Sequence, residues 1–168
     1  MTVRRTLISL ATIALTVSAI ALTGAPAQAA GATNIRIWNS SHCLDSDTDN
    51  AAILQMWTCD SGSDEKWLTE FWGNSMYRFI NQRTGWCITA PRVLGGGAVT
   101  LSACDAFGST RAVQLWRIYT TKAGDPSVNV WQSAQNNLCL TTPSVANHTI
   151  PQTTTCDPTD QYDWWQQL

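Results

Sequence analysis

Six cysteines constrain this chain more than any other feature, because they fall into three pairs of nearly equal spacing: Cys43 with Cys59, Cys87 with Cys104, and Cys139 with Cys156. Each opening cysteine is followed by an apolar and then a polar residue, as Cys43-Leu44-Asp45, Cys87-Ile88-Thr89 and Cys139-Leu140-Thr141. Each closing cysteine ends a short stretch: Leu54-Gln55-Met56-Trp57-Thr58-Cys59, Val99-Thr100-Leu101-Ser102-Ala103-Cys104 and Gln152-Thr153-Thr154-Thr155-Cys156. A tryptophan then closes each unit, at Trp67, Trp116 and Trp165. A period of roughly 40–50 residues seen three times signals a repeat architecture, in which no unit buries its own apolar face and all must share one core. Equivalent units close equivalent loops, so the repeat selects the disulfides Cys43–Cys59, Cys87–Cys104 and Cys139–Cys156. A cysteine metal site would need pairs two to four residues apart, and the chain has none.

Disulfides require an oxidising compartment, and the N-terminus supplies an address. Arg4-Arg5 precede an uncharged apolar run from Thr6 to Leu22, and Ala27-Gln28-Ala29 follows. That is the layout of a secretory signal peptide over residues 1–29, with export as the expected fate. No later stretch is apolar for long enough to span a bilayer. The signal carries two of the 10 basic residues, against 12 acidic ones in the whole chain. The remainder is net acidic without a basic patch, which argues against nucleic acid as a partner.

Before each opening cysteine lies an alternating stretch (Ile35 to Trp38, Tyr77 to Ile80, Val128 to Trp131), followed by a turn rich in Asn, Ser and Gly. Period-two alternation bounded by such residues predicts a half-buried strand. The segments after the opening cysteine, before the closing cysteine and around the closing tryptophan predict three more. Four strands in each of three repeats give an all-β domain of about twelve strands. Leu44, Ile88 and Leu140, with Trp67, Trp116 and Trp165, are the expected shared core. Gly73-Asn74-Ser75 and Thr121 to Ser127 read as connectors between repeats, and Gly95-Gly96-Gly97 as a flexible turn.

Cys-Leu-Asp, Gln-Met-Trp-Thr-Cys and a closing Gln-x-Trp-type element, repeated threefold, resemble the ricin-B-chain-like (R-type) lectins. The resemblance covers residues 34–168 and implies a β-trefoil: three four-stranded repeats with pseudo-threefold symmetry, one disulfide each. It implies a non-catalytic, monomeric, secreted protein whose partner is a glycan of galactose type, with no cofactor and no metal. Only Gln114-Leu115-Trp116 keeps the glutamine of the closing element; the other repeats have Glu65-Lys66-Trp67 and Asp163-Trp164-Trp165.

In that family the sugar is held by the Asp two residues after the first cysteine and the aromatic two residues before the second. A carboxylate accepts charge-assisted hydrogen bonds from ring hydroxyls, and a flat aromatic packs the C–H face at small entropic cost. The first repeat has both, in Asp45 and Trp57, with Gln55 beside them and Asp64 and Glu65 where the family places an amide pair. The second has Thr89 and Ser102, the third Thr141 and Thr154, so one competent site is expected. Two carboxylates at 64 and 65 replace groups that donate as well as accept, which weighs against galactose as such. Trp57 has no counterpart in the other repeats, so the shared core does not require it.

Other constellations carry less. Asp45 to Asn50 resembles a calcium loop, but Asn50 and Met56 stand where an EF-hand needs Gly and Glu. Asn39-Ser40-Ser41 and Asn147-His148-Thr149 are glycosylation sequons. His42 and His148 sit in polar loops without a free cysteine to activate, and a glycosidase would need two facing carboxylates, one with a raised pKa. The reading that competes with sugar binding is a trefoil that has lost it and serves as a protein-interaction or inhibitor domain.

Overall fold

The computed structural model describes residues 31–105 and 111–168; the signal-peptide assignment of residues 1–29 lies outside them. Lobe 1 contains β1 (Thr33–Ile37), β2 (His42–Ser46), β3 (Leu54–Thr58) and β4 (Lys66–Phe71). Lobe 2 contains β5 (Met76–Asn81), β6 (Trp86–Thr89), β7 (Gly97–Ala98), β8 (Thr100–Ala103) and β9 (Trp116–Lys122). Lobe 3 contains β10 (Asp125–Ser133), β11 (Cys139–Thr141), β12 (Gln152–Thr154) and β13 (Trp165–Gln167). Antiparallel pairing runs β1–β4–β5–β9–β10–β13 and returns from β13 to β1. This closed ring of six strands leaves no open edge. The ends of the ring meet where Asn34 and Leu168 exchange backbone hydrogen bonds of 3.2 and 3.1 Å. The hairpins β2–β3, β6–β8 and β11–β12 join it through the equivalent pairs Arg36–Cys43, Ile80–Cys87 and Gln132–Cys139. Three such lobes with one disulfide in each make the β-trefoil that the resemblance implies. No helix among the described residues is long and apolar enough to cross a membrane.

Hairpins and barrel are tied together at the core. Trp67, Trp116 and Trp165 are fully buried, as are Leu44, Ile88 and Leu140 at the hairpins. Each indole N–H donates to the carbonyl of one of those apolar residues: Trp67 to Leu44 at 3.0 Å, Trp116 to Ile88 at 3.2 Å, Trp165 to Leu140 at 2.8 Å. Each tryptophan closely follows a single turn of 3-10 helix (Ser63–Glu65, Arg111–Gln114, Gln161–Asp163). Each turn aims one buried side chain at the loop beyond the closing cysteine. Glu65 accepts from the Asp60 amide (2.7 Å), Gln114 from that of Asp105 (2.9 Å) and Asp163 from that of Asp157 (2.8 Å).

The hairpin loops also interlock in a cycle. Ala52 and Ile53 of lobe 1 pair with Leu101 and Thr100 of lobe 2. β7 of lobe 2 pairs with β12 of lobe 3, and His148 and Thr149 of lobe 3 exchange backbone hydrogen bonds with Met56 of lobe 1. This docking explains the two-residue strand β7, which the count of about twelve omits. It also makes Gly95-Gly96-Gly97 an anchored turn instead of a flexible one. Gly96 has φ +82°, and a Cβ there would lie 2.0 Å from the Thr153 carbonyl oxygen. The stretch Thr121 to Ser127, expected as a connector, is mostly strand: β9 and β10 run into each other through a tight turn in which Gly124 has φ +82°.

Two predictions concern this framework. Gly96→Ala should lower stability by at least about 2 kcal/mol, because the left-handed backbone and a backbone oxygen both oppose the new methyl. Gly95→Ala, with open space around it, should stay within about 0.5 kcal/mol. Urea unfolding of the two variants checks this, and equal midpoints would refute the anchoring.

The second prediction uses Glu65. Burial, the largest cause, pushes its carboxyl up from 4.5 to about 7, and its Oε1 is buried without a hydrogen-bond partner. A carboxyl that holds its proton more tightly when folded favours the folded state at low pH. That contribution is full below about pH 4.5 and is lost as pH rises through about 7. Glu65→Gln, which can still accept from Asp60 as Gln114 accepts from Asp105, should therefore raise stability on the order of 2–3 kcal/mol at about pH 8. The gain should shrink toward pH 4.5. Asp163, likewise raised by burial, leaves the variant a residual slope. Thermal melts across this range would expose a failure as parallel curves for parent and variant.

Candidate functional site

The hairpin β2–β3 sorts its side chains by strict alternation. Its register pairs Cys43 with Trp57, Leu44 with Met56, Asp45 with Gln55 and Ser46 with Leu54. Successive side chains of a strand point to opposite faces. Leu44, Leu54 and Met56 therefore fill the core, all fully buried, while Asp45, Gln55 and Trp57 share the opposite face. Of the five residues singled out in the first repeat, these three come together directly.

Asp45 and Gln55 form a cross-strand pair: Gln55 Nε2 donates to Asp45 Oδ1 at 2.8 Å, and each residue is 5 % exposed. Burial is the main cause that raises the Asp45 carboxyl above the usual carboxylate range. The Gln55 hydrogen bond opposes it, Asp64 and Asp47 add to it, and the Arg83 guanidinium lowers it. Arg83 reaches in from lobe 2 and donates to the carbonyls of Ser46 (2.8 Å) and Asp47 (2.5 Å), pinning the end of β2. Asp47 Oδ1 accepts from the amides of Asp49 and Asn50. That carboxylate of the calcium-loop look-alike is thus spent on its own turn. Among the described residues no group of three or more His, Cys, Asp or Glu side chains is arranged to hold a metal ion.

His148 completes the cluster, and the sequence gives no local hint of it. With the Gln55 amide nitrogen committed to Asp45, the amide oxygen accepts from His148 Nδ1 at 3.1 Å. The imidazole meets the half-buried Trp57 edge to face, with centroids 4.6 Å apart and planes at 75°. Lobe 3 delivers this ring through the loop docking already described, with His148 at φ +66° and Asn147 Oδ1 accepting from the Thr58 amide at 2.9 Å. Trp57 is thus held between its strand and a neighbouring lobe.

Asp64 and Glu65 part company. Asp64 is half-buried at the rim, close enough to raise the Asp45 pKa. Glu65 is 0 % exposed, because the 3-10 turn sends adjacent side chains in different directions, and Asn34 as well as the Asp60 amide donates to its Oε2. Glu65 can position the loop that carries Asp64, but it has no surface to offer a bound molecule.

The same place in the other lobes is filled from within. In lobe 2, Gln114 Nε2 donates to Ser102 Oγ (2.9 Å), Thr89 Oγ1 (3.3 Å) and the Ala103 carbonyl (3.0 Å). In lobe 3, Thr141 is 5 % exposed and its hydroxyl donates to the Tyr162 carbonyl at 3.3 Å. Among the described residues, neither of those hairpins puts a carboxylate and an aromatic side chain on this face, whereas the lobe 1 hairpin does.

Comparison with known proteins places this geometry among trefoils. No family model matches the chain, and no curated protein matches it. Solved structures do. The designed 3-fold symmetric protein ThreeFoil superposes with a TM-score of 0.71 at 13 % identity, over 83 % of this chain and 99 % of its own. The Macrolepiota procera ricin B-like lectin, solved in complex with lactose, gives 0.66 at 12 % identity, over 81 % and 93 %. The exo-β-1,3-galactanase from Clostridium thermocellum gives 0.69 at 18 % identity, over 82 % of this chain but 30 % of its own. What these proteins share at such identities is the fold: the chain is a β-trefoil, built like the ricin B-like lectins.

Proposed function

We propose that the protein is an exported, monomeric and non-catalytic carbohydrate-binding trefoil with one sugar site, on the outward face of β2–β3. The observation that carries this reading is the contrast between lobes. One backbone arrangement is sealed by Gln114 in lobe 2, yet in lobe 1 it presents Asp45, Gln55 and Trp57 together. Asp45 Oδ2 accepts from ring hydroxyls, Trp57 packs the C–H face, and His148 and Asp64 border the ring. Gln55 and His148 hold the acceptor and the platform in place, which reduces the entropy lost on binding. The three disulfides fit export to an oxidising compartment. The lactose carried by the Macrolepiota lectin supports a galactose-type ligand, and the acidic rim at Asp64 favours a neutral sugar over an anionic one.

A single shallow site should bind a mono- or disaccharide at around millimolar, about −4 kcal/mol. A glycan array identifies the ligand, with lactose as the first probe, and calorimetry on variants then tests the site. Trp57→Ala should weaken binding about tenfold or more through lost stacking and area, and Asp45→Ala should do the same through lost hydrogen bonds. Ser102→Ala, at the equivalent place in lobe 2, should leave affinity unchanged. Full affinity in Trp57→Ala would place the site elsewhere, and an array without any positive glycan would favour the protein-interaction reading.

A further inference from the structure

The threefold frame also allows the three seams between lobes to be compared residue by residue. Arg36, Ile80 and Gln132 each pair with an opening cysteine, which aligns the turns that follow. Trp38 then stands with Gln82 and Ala134, Asn39 with Arg83, and Ser40 with Asn136. The backbone agrees, since the amides of Trp38, Gln82 and Ala134 donate to the carbonyls of Trp164, Lys66 and Leu115, each just before a core tryptophan.

Two seams are plugged by a side chain from this turn that reaches carbonyls of the preceding lobe. Arg83 does so between lobes 1 and 2, on Ser46 and Asp47. Asn136 does so between lobes 2 and 3, donating to the carbonyls of Pro91 and Val93 at 3.2 Å each. Among the described residues, the seam between lobes 3 and 1 has no such plug. Ser40 turns back onto its own loop, with its hydroxyl 3.0 Å from the Ile37 carbonyl. A cavity of about 190 Å³ remains, lined chiefly by Ile37, Trp38, Asn39, Val145, Gln161 and Tyr162. Trp38 is held at its rim: Lys122 Nζ lies 3.8 Å from its ring centroid and 5.0 Å from that of Trp164.

We propose that this open seam is a second binding site, for a single uncharged sugar ring. Its volume falls below the roughly 300–1,000 Å³ of pockets for drug-sized ligands, which limits the occupant to about one ring. No charged side chain among the described residues lines it. Among the described residues, the side chains of Asn39, Gln161 and Tyr162 make no hydrogen bond of their own. Two amides and a phenol supply donors and acceptors alike, and Trp38 and Tyr162 supply aromatic surface for a C–H face. The residues standing where Asp45 and Trp57 stand, Thr141 and Thr154, do not line it. The inference takes its ligand class from the lobe 1 reading and its location from the seam alone.

The test is two-dimensional NMR of the labelled protein with galactose, glucose, N-acetylglucosamine and xylose up to about 50 mM, well above an expected millimolar Kd. Phenol and adenosine serve as ring-shaped controls. At least one sugar should shift the Gln161 and Tyr162 amides saturably. Trp38→Ala, which installs the residue lobe 3 already has at position 134, should weaken that response about tenfold or more. Ser40→Asn should abolish it by plugging the seam as Asn136 does, and it carries the test alone if Trp38→Ala does not fold. Amides around Trp57 and His148 report lobe 1 in the same spectra, so failure at either site is seen separately. The proposal is overturned if no sugar shifts the seam, if only phenol or adenosine does, or if the sugar response survives Ser40→Asn.

Discussion

Three buried hydrogen bonds, from the indoles of Trp67, Trp116 and Trp165 to the carbonyls of Leu44, Ile88 and Leu140, hold the rest of the structure in register. A buried indole N–H without a partner costs about 1–3 kcal/mol, so each tryptophan selects the position of the hairpin above it. That selection reaches the surface. A slip of one residue in β2 would send Leu44 outward and Asp45 into the core. The face carrying Asp45, Gln55 and Trp57 is therefore a by-product of the requirement that Leu44 offer its carbonyl to Trp67.

A frame fixed this way can be filled differently at each of its repeated places. At the position two residues before the core tryptophan, Glu65, Gln114 and Asp163 all hold the loop beyond the closing cysteine. Only the glutamine carries an amide N–H group toward the hairpin, and with it closes lobe 2. At the seams, Arg83 and Asn136 reach the carbonyls of the preceding lobe, whereas Asn39 and Ser40, their counterparts at the third seam, make no such bond among the described residues. The symmetry is in the backbone, and chemical individuality arises where it is broken.

Much of this was legible in the sequence because the repeat supplied its own controls. Three copies of one spacing gave the disulfides, the strands and the core tryptophans. Period-two alternation alone puts Asp45, Gln55 and Trp57 on one face. His148 could not be read the same way, since it lies 93 residues from Gln55 and arrives through loop docking that leaves no local pattern. Asp64 and Glu65 pair up in the sequence through the resemblance, which places an amide pair there, but a single 3-10 turn sends the two side chains in different directions and buries Glu65. The Gly95-Gly96-Gly97 turn looked flexible because glycine permits freedom. At Gly96 it permits contact instead.

The ring of strands closes only when β13 slides between β1 and β10. Until then β1 lacks a neighbour along one side, and the lobe 1 hairpin waits for His148 and Thr149. A chain emerging from the ribosome therefore has no stable stopping point short of its last strand, because its decisive contacts join its two ends and are the slowest kind to form.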